Sequence, residues 1–355
     1  MEIKFINEMD YKIWNEFCIN NSYATFFHTS YAMEYFKECS FNIKAQQKSF
    51  MIYENNNLIA CMPVFLETID NENNLSYGGG QLLSPLITET LNKAGKRKVM
   101  KIILQKLDEI AYENNVNKIS FYIPYLSNKY INSLVKYNYF LQYGYVDTSG
   151  LTCILDLEPT EEEIFKKFTK GHKSDINKSK KYLELEIINN EDVSEKKIDD
   201  FMRYYFKIAG KQTRPQNTFN NICKWVKEEK GVLFKAIYNN NVCGYSFYSY
   251  YKDTAYYYMA CKDNNLNNLK ISHYLQWEAI KYLKNQGIKF LELGTQDFED
   301  TLYNFPSEKD INISKFKRGF GGFIMPVYKA EKFYSSKFLK KCYEERIEKY
   351  ISRNF

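Results

Sequence analysis

Glu292, Asp297, Lys317 and Tyr258 are the residues whose types and spacing are suited to moving protons. Glu292 lies in the strand pattern IKFLEL. Asp297 and Glu299 follow just past Gly294-Thr295-Gln296, at a strand end, where site residues of α/β folds collect. A carboxylate positioned as a general base contributes about a hundred- to ten-thousand-fold in rate. A lysine such as Lys317, or a backbone N–H, can hold developing negative charge, and a tyrosine such as Tyr258 can give up a proton. Each has a plainer reading. Glu292 also fits a solvent-facing strand carboxylate, and in a chain with 32 tyrosines Tyr258 also fits core packing. His273 reads as a structural or capping residue. Cys261 has no base near it in sequence and reads as an inert buried thiol.

A second set of residues is suited to binding an anion. The polar loop KDNNLNN runs into a helix start, where free N–H groups and the helix dipole meet. Lys262, Asn268, Lys270, Ile271 and Ser272 are therefore candidates for holding a cofactor phosphate. The segment from Glu161 to Ile187 opens with Glu161-Glu162-Glu163 and continues with many lysines, among them Lys173 and Lys178. It reads either as an exposed helix pair or as a basic rim around a substrate phosphate or carboxylate. In ISKFKRGFGGFIMPVY, Lys315, Lys317 and Arg318 interleave with Phe316 and Phe320. On residue types alone that stretch is a bulged strand with a charged face; its cations would also suit a carboxylate or phosphate. No metal site is expected.

The elements that must position these residues begin at Val232. VLFKAIY, VCGYSFYSYY and TAYYYMAC are dense in Tyr, Phe and Val and are separated by Asn239-Asn240-Asn241 and Lys252-Asp253. They predict a three-stranded meander. A helix from about Ile271 to Gln286 follows, with Leu275, Ala279, Tyr282 and Leu283 on one stripe. Gly287 ends it and IKFLEL is the next strand. The N-terminal half repeats this order. KSFMIYE, Asn55-Asn56-Asn57 and LIACMPVFLET predict a hairpin in which Pro63 marks an edge or bulge. A helix over about Lys96 to Asn115 then feeds the strand KISFYIP. Two copies of one α/β domain are expected: residues 1–150, and residues 151–330 with the active cleft. A C-terminal helix over 331–355 packs back on the first copy.

Composition excludes several function classes. The net charge of +6, from 49 basic and 43 acidic residues, is too modest for a dedicated nucleic-acid binder but suits a phosphate-bearing ligand. Aromatics at 17% accompany many Asn and Lys residues, a coding bias rather than a base-stacking platform. Eight scattered cysteines without a CxxC pair indicate reduced thiols in a cytoplasmic protein. The start MEIKFINEMD is not a signal peptide, and no window approaches a membrane span.

FKRGFGG, a few residues before a terminal strand, resembles the FKxxFGG-type signature of the Fem-type peptidyltransferases and of related GNAT-fold acyltransferases from surface-polysaccharide gene clusters. ISHYLQWEAIKYLKNQGIKFLELG resembles the helix–strand step before that signature. KKFTKGHKSDINKSKK resembles the basic segment opening their second domain, and FFHTSYAMEYFK their N-terminal helix. The resemblance implies tandem GNAT-like α/β domains, each a mixed central sheet flanked by helices. It also implies transfer of an acyl group to an amine, with Phe316 and Lys317 at the reacting centre; Arg318, with Lys173 and Lys178, is expected from its charge to bind the substrate. The glycine-bearing pyrophosphate loop of ordinary GNAT enzymes is absent, as is any long heptad arm. With no arm and a modest charge, acyl-CoA is expected as co-substrate, with no tightly bound cofactor; aminoacyl-tRNA is the alternative donor. The expected acceptor is an amino group on a nucleotide- or lipid-linked cell-surface glycan precursor, reached from the cytosolic face with at most peripheral membrane contact. A peptidoglycan-precursor aminoacyltransferase and a non-catalytic phosphate-recognising scaffold are the other readings. No DNA partner is expected.

Overall fold

The computed structural model describes residues 1–133 and 136–355. The chain forms two compact units. One comprises Met1–Gly150, Glu299–Pro306 and Pro326–Phe355; the other comprises Leu151–Phe298 and Ser307–Met325. Glu299 thus falls in the first unit, whereas Glu292, Asp297 and Lys317 fall in the second.

The second unit is a mixed α/β layer. Its elements in chain order are β1 (Gly150–Asp156), α1 (Glu161–Lys167), α2 (Lys170–Ser179), β2 (Glu184–Ile188), α3 (Glu195–Ala209) and α4 (Gln216–Lys227). Then come β3 (Gly231–Tyr238), β4 (Asn241–Tyr251), β5 (Thr254–Lys262), α5 (Ile271–Asn285), β6 (Phe290–Thr295), α6 (Glu308–Arg318) and β7 (Phe323–Val327). The sheet order is β2-β3-β4-β5-β6-β1-β7. The meander expected from the Tyr- and Val-rich runs is β3–β5. Asn239 and Asn240 take φ of 49° and 62°, the left-handed pair a tight hairpin needs and asparagine tolerates.

Alternation along the strands sends Val232, Phe234, Ala255, Leu291 and Leu293 to one face, under Leu275, Ala279, Ile280 and Leu283 of α5. The opposite face carries Tyr245 and Phe247 against Phe201 of α3 and Trp225 of α4. Fully burying one such side chain is worth about 1.5–3 kcal/mol, so this two-sided burial holds the sheet between its helix layers.

β5 and β6 pair in parallel only over Thr254–Tyr256 and Phe290–Glu292. Both strands continue beyond that point, β5 to Lys262 and β6 to Thr295, and β6 keeps β1 as its other neighbour. A slot therefore opens between β5 and β6 immediately after Glu292.

Two expectations are corrected. LIACMPVFLET is not one strand. Asn57–Met62 stops before Pro63 and belongs to a four-stranded sheet, while Phe65–Ile69 joins a separate seven-stranded sheet of the first unit. Proline lacks the N–H a continuous ladder needs, so the chain changes sheets there. The signature stretch is not a bulged strand either. Residues through Arg318 are helical, because Ser307 and Asp310 form a reciprocal cap that nucleates α6; the strand begins only at Phe323.

Candidate active site

Lys317, in the last turn of α6, reaches across to β6. Gly294 leaves room for it: a Cβ at Gly294 would lie 2.6 Å from the Lys317 Nζ and 3.5 Å from its Cε. Gly294 also holds φ at +99°, a conformation side-chain-bearing residues rarely adopt. Burial holds the Lys317 ammonium below the usual lysine range, opposed by the charges of Glu292 and Asp297 and by Cys153. Glu292 and Gly294 are two apart on a strand and share its face, opposite the core residues Leu291 and Leu293. The Glu292 carboxylate accepts a hydrogen bond from the Thr152 hydroxyl at 2.8 Å. Asp297 is anchored by its backbone N–H, which donates to Ser314 Oγ at 2.9 Å. An ammonium that feels the charge of two carboxylates thus lies beside β6, the strand bordering the slot between β5 and β6. This is an arrangement for proton transfer and for holding a developing negative charge.

The helix carrying Lys317 is fixed by close approaches at the signature glycines. A Cβ on Gly319 would meet the His172 ring at 2.1 Å, and one on Gly322 the Cys153 Sγ at 2.7 Å. His172 Nε2 donates to the Phe316 carbonyl at 2.9 Å, and its Nδ1 accepts from the Thr169 hydroxyl at 3.0 Å, which sets the tautomer. The Phe316 ring packs against His172, His273 and Phe320, with centroids 4.9–5.5 Å apart. Phe316 therefore anchors α6 to α2 and α5.

The remaining candidates are placed as follows. Arg318 donates to Gln296 Oε1 at 3.0 Å and lies over the Phe298 ring at 4.4 Å, so it braces the chain that carries Asp297. The Tyr258 ring meets Trp225 and Phe247 edge-on, on the α3/α4 side of the sheet. Lys173 donates to the Lys166 carbonyl at 3.4 Å, and Lys178 is exposed in the last turn of α2. Between β5 and α5, residues Asn264–Leu269 form a short 3-10 helix. Lys270 follows in the left-handed region (φ +53°) without being glycine. Lys262 donates to Asn267 Oδ1, and the Asp263 carboxylate accepts from the Asn265 N–H at 2.8 Å. Ile271 is buried in the core, so its side chain is withheld from any ligand; Asn268 and Ser272 flank it at the loop and helix start. Burial pushes the Cys261 thiol up to about 12, which makes it the inert thiol expected, and all eight cysteines are free.

Residues 168–303 match the family model of the acetyltransferase (GNAT) domain. The chain carries a GNAT-type acyltransferase domain. Similar solved structures span nearly the whole chain. FemX is 12% identical and aligns over 97% of this chain and 100% of its own, with a TM-score of 0.69. L-PGS from Bacillus licheniformis is 11% identical over 98% and 97%, with a TM-score of 0.59. A tandem GNAT protein from the clavulanic acid biosynthesis pathway is 8% identical over 94% and 99%, with a TM-score of 0.52. At these identities the likeness is one of fold: tandem GNAT-like units of mixed sheet and helix. No curated protein matches the sequence. Among the described residues, no helix is long and apolar enough to cross a membrane.

Residue types and the signature resemblance singled out Lys317 and Glu292 as candidates but not their neighbours Thr152 and Gly294. Both sit in strand patterns with no local mark of a site; a glycine inside IKFLELGT was the one available signal, since it marks a close approach. The histidine pair was also missed as a unit. His172 and His273 rings lie 4.5 Å apart, edge to face. Burial and then the neighbouring His172 bring His273 down to about 4. Lys270 and Lys262 add to this, and Asp175, at 3.6 Å, opposes it. The unfolded chain therefore takes up this proton first as pH falls below about 6.5. Stability is full above that pH and is lost progressively down to about 4, by roughly 2–3 kcal/mol. In thermal melts His273→Asn should flatten the decline between pH 7 and 5. An unchanged slope would show that the pair is not what titrates.

Proposed function

We propose that the protein transfers an acyl group from an activated ester or thioester to an amine on a cell-envelope glycan precursor, with the second unit carrying the active cleft. The observation that carries this reading is the Lys317 ammonium over Gly294, feeling the charge of Glu292 and lying beside β6, the strand bordering the β5–β6 slot. In the proposed step the amine attacks the donor carbonyl, Glu292 takes the amine proton, and Lys317 donates a hydrogen bond to the oxyanion. Collapse of the tetrahedral intermediate expels the alcohol or thiolate, and the proton held on Glu292 returns to it.

For the donor, the loop contacts favour an aminoacyl ester such as aminoacyl-tRNA. Lys262 is engaged by Asn267, Asp263 adds an acidic group, and no glycine opens the backbone, all of which weaken a pyrophosphate site there. The resemblance of FKRGFGG to the Fem-type signature supports the same donor class. Acyl-CoA is the second reading, supported by the slot between β5 and β6 and by the GNAT domain match. Thermal shift with CoA, acetyl-CoA, and charged and uncharged tRNA separates them. A ligand at a hundred times its dissociation constant stabilises by about 2.7 kcal/mol. A shift with charged tRNA alone supports the ester donor, and a shift with acetyl-CoA alone the thioester. No shift with either would leave a phosphate-recognising scaffold.

Glu292→Gln keeps an acceptor for Thr152 and removes the base. Turnover with a defined donor and acceptor should fall about a hundredfold or more. A full-rate variant would remove Glu292 from the mechanism.

A further inference from the structure

We propose that the outward face of α2 is a docking surface for an anionic lipid membrane. This inference is independent of the acyl-transfer reading. It starts from where the charge of the chain lies. Residues 166–181 hold seven lysines and one aspartate, a net charge of +6, and the whole chain carries a formal net charge of +6. The remainder of the protein is therefore neutral in sum, and the excess charge is gathered on one helix and its two ends. A general bias toward lysine would have spread it.

Packing turns these cations outward. The inner side of α2 is His172, Ile176 and Ser179. His172 meets the His273 ring at 4.5 Å, Ser179 Oγ donates to the Leu269 carbonyl at 2.7 Å, and Ile176 belongs to the core. Asp175, the one acid of the stretch, is turned toward His273 at 3.6 Å. Lys170, Lys173 and Lys178 lie on the opposite side of the helix, with Gly171, Ser174 and Asn177 between them. Lys173 reaches back to the Lys166 carbonyl at 3.4 Å, which joins the end of α1 to the same face. Among the described residues none of the seven lysines forms an ion pair. Lys235, Lys281 and Lys289 of the same unit each do. The repulsion within this face is thus left uncompensated by the chain, and an anionic partner relieves it.

The chemistry of the face favours a lipid surface over RNA. The stretch contains lysine and no arginine. Arginine supplies the planar, bidentate and stacking contacts of nucleic-acid recognition, whereas flexible ammonium groups suit a diffuse layer of headgroups. Tyr182, the exposed ring at the edge of the stretch, is of the type that settles at a membrane–water boundary. Each lysine held near an anionic bilayer raises the partition about fivefold.

The test is co-sedimentation of the full chain with phosphatidylcholine vesicles that do or do not contain about 30% phosphatidylserine. The chain should pellet with the anionic vesicles and stay in solution with the neutral ones. Binding should disappear between about 0.1 M and about 1 M salt, where the screening length falls from about 10 Å to about 3 Å. The triple variant Lys170→Gln/Lys173→Gln/Lys178→Gln should weaken the partition about a hundredfold. Lys196→Gln/Lys207→Gln/Lys211→Gln removes the same charge from exposed positions on and just after α3, and should weaken it less than about threefold. Glutamine is about as good a helix former as lysine, so both variants should melt with the parent chain. If the α2 triple variant melts early, Lys178→Gln alone, with an expected loss of about fivefold, carries the test. A mobility shift with uncharged transfer RNA at the lower salt reads the other polyanion. The proposal fails if neutral vesicles are bound as well as anionic ones, if neither is bound, or if the α3 variant loses as much as the α2 variant. It fails equally if RNA is bound through the same three lysines while vesicles are not.

Discussion

Lys317→Ala should lower kcat by about a hundred- to a thousandfold and shift the denaturation midpoint little. The kinetic loss is the size seen when one preorganised donor to an oxyanion is removed. The stability change stays near 1 kcal/mol or below because two terms oppose. The ammonium is partly desolvated, and burial holds it below its usual range, so its removal relieves a cost. Against that, Glu292 and Asp297 lose a favourable positive charge. Lys317→Met keeps the apolar stem and should be as inactive as alanine, separating charge from packing. Lys317→Arg should not restore the rate, since a planar guanidinium is wider than the space above Gly294. Single-turnover rates with a defined donor, together with urea melts, read both quantities. A fully active alanine variant would remove Lys317 from the reacting centre.

Gly294→Ala should do comparable kinetic damage from the other side of the same contact. The new Cβ would stand 2.6 Å from the Lys317 Nζ, so the ammonium must leave its position. The backbone at φ +99° adds a strain of about 1–3 kcal/mol, which should appear as a lower urea midpoint. The two substitutions remove one interaction, so they should not add: the double variant should have nearly the kcat of Lys317→Ala. Losses that multiply would show that Gly294 serves only the strand and that Lys317 acts from elsewhere.

Local pattern made much of the fold legible. Asn239-Asn240 and Asn55-Asn56 announced hairpins because both pairs must enter the left-handed region, and both do. The stripe Leu275, Ala279 and Leu283 announced α5 as a sheet-packing helix, and Gly287 its end, because a 3.6-residue apolar period fits little else. Local pattern misled where two elements compete for the same residues. The alternation in ISKFKRGFGGFIM suits a strand by residue type, but the Ser307–Asp310 cap lies upstream of it and commits the segment to helix.

The sequence by itself determined the meander, the Asn hairpins, α5 and the residue types able to move a proton, since turns and periodicity act within a few residues. It also carried the resemblance that pointed to tandem GNAT-like units. Which of those residues meet was decided only by tertiary structure. Lys317 reaches Gly294 because α6 is pinned by His172 against Phe316 and Gly319, contacts between segments far apart in the chain. Tyr258 lies against Trp225 and Phe247 because strand alternation assigns it a face that no count of tyrosines reveals.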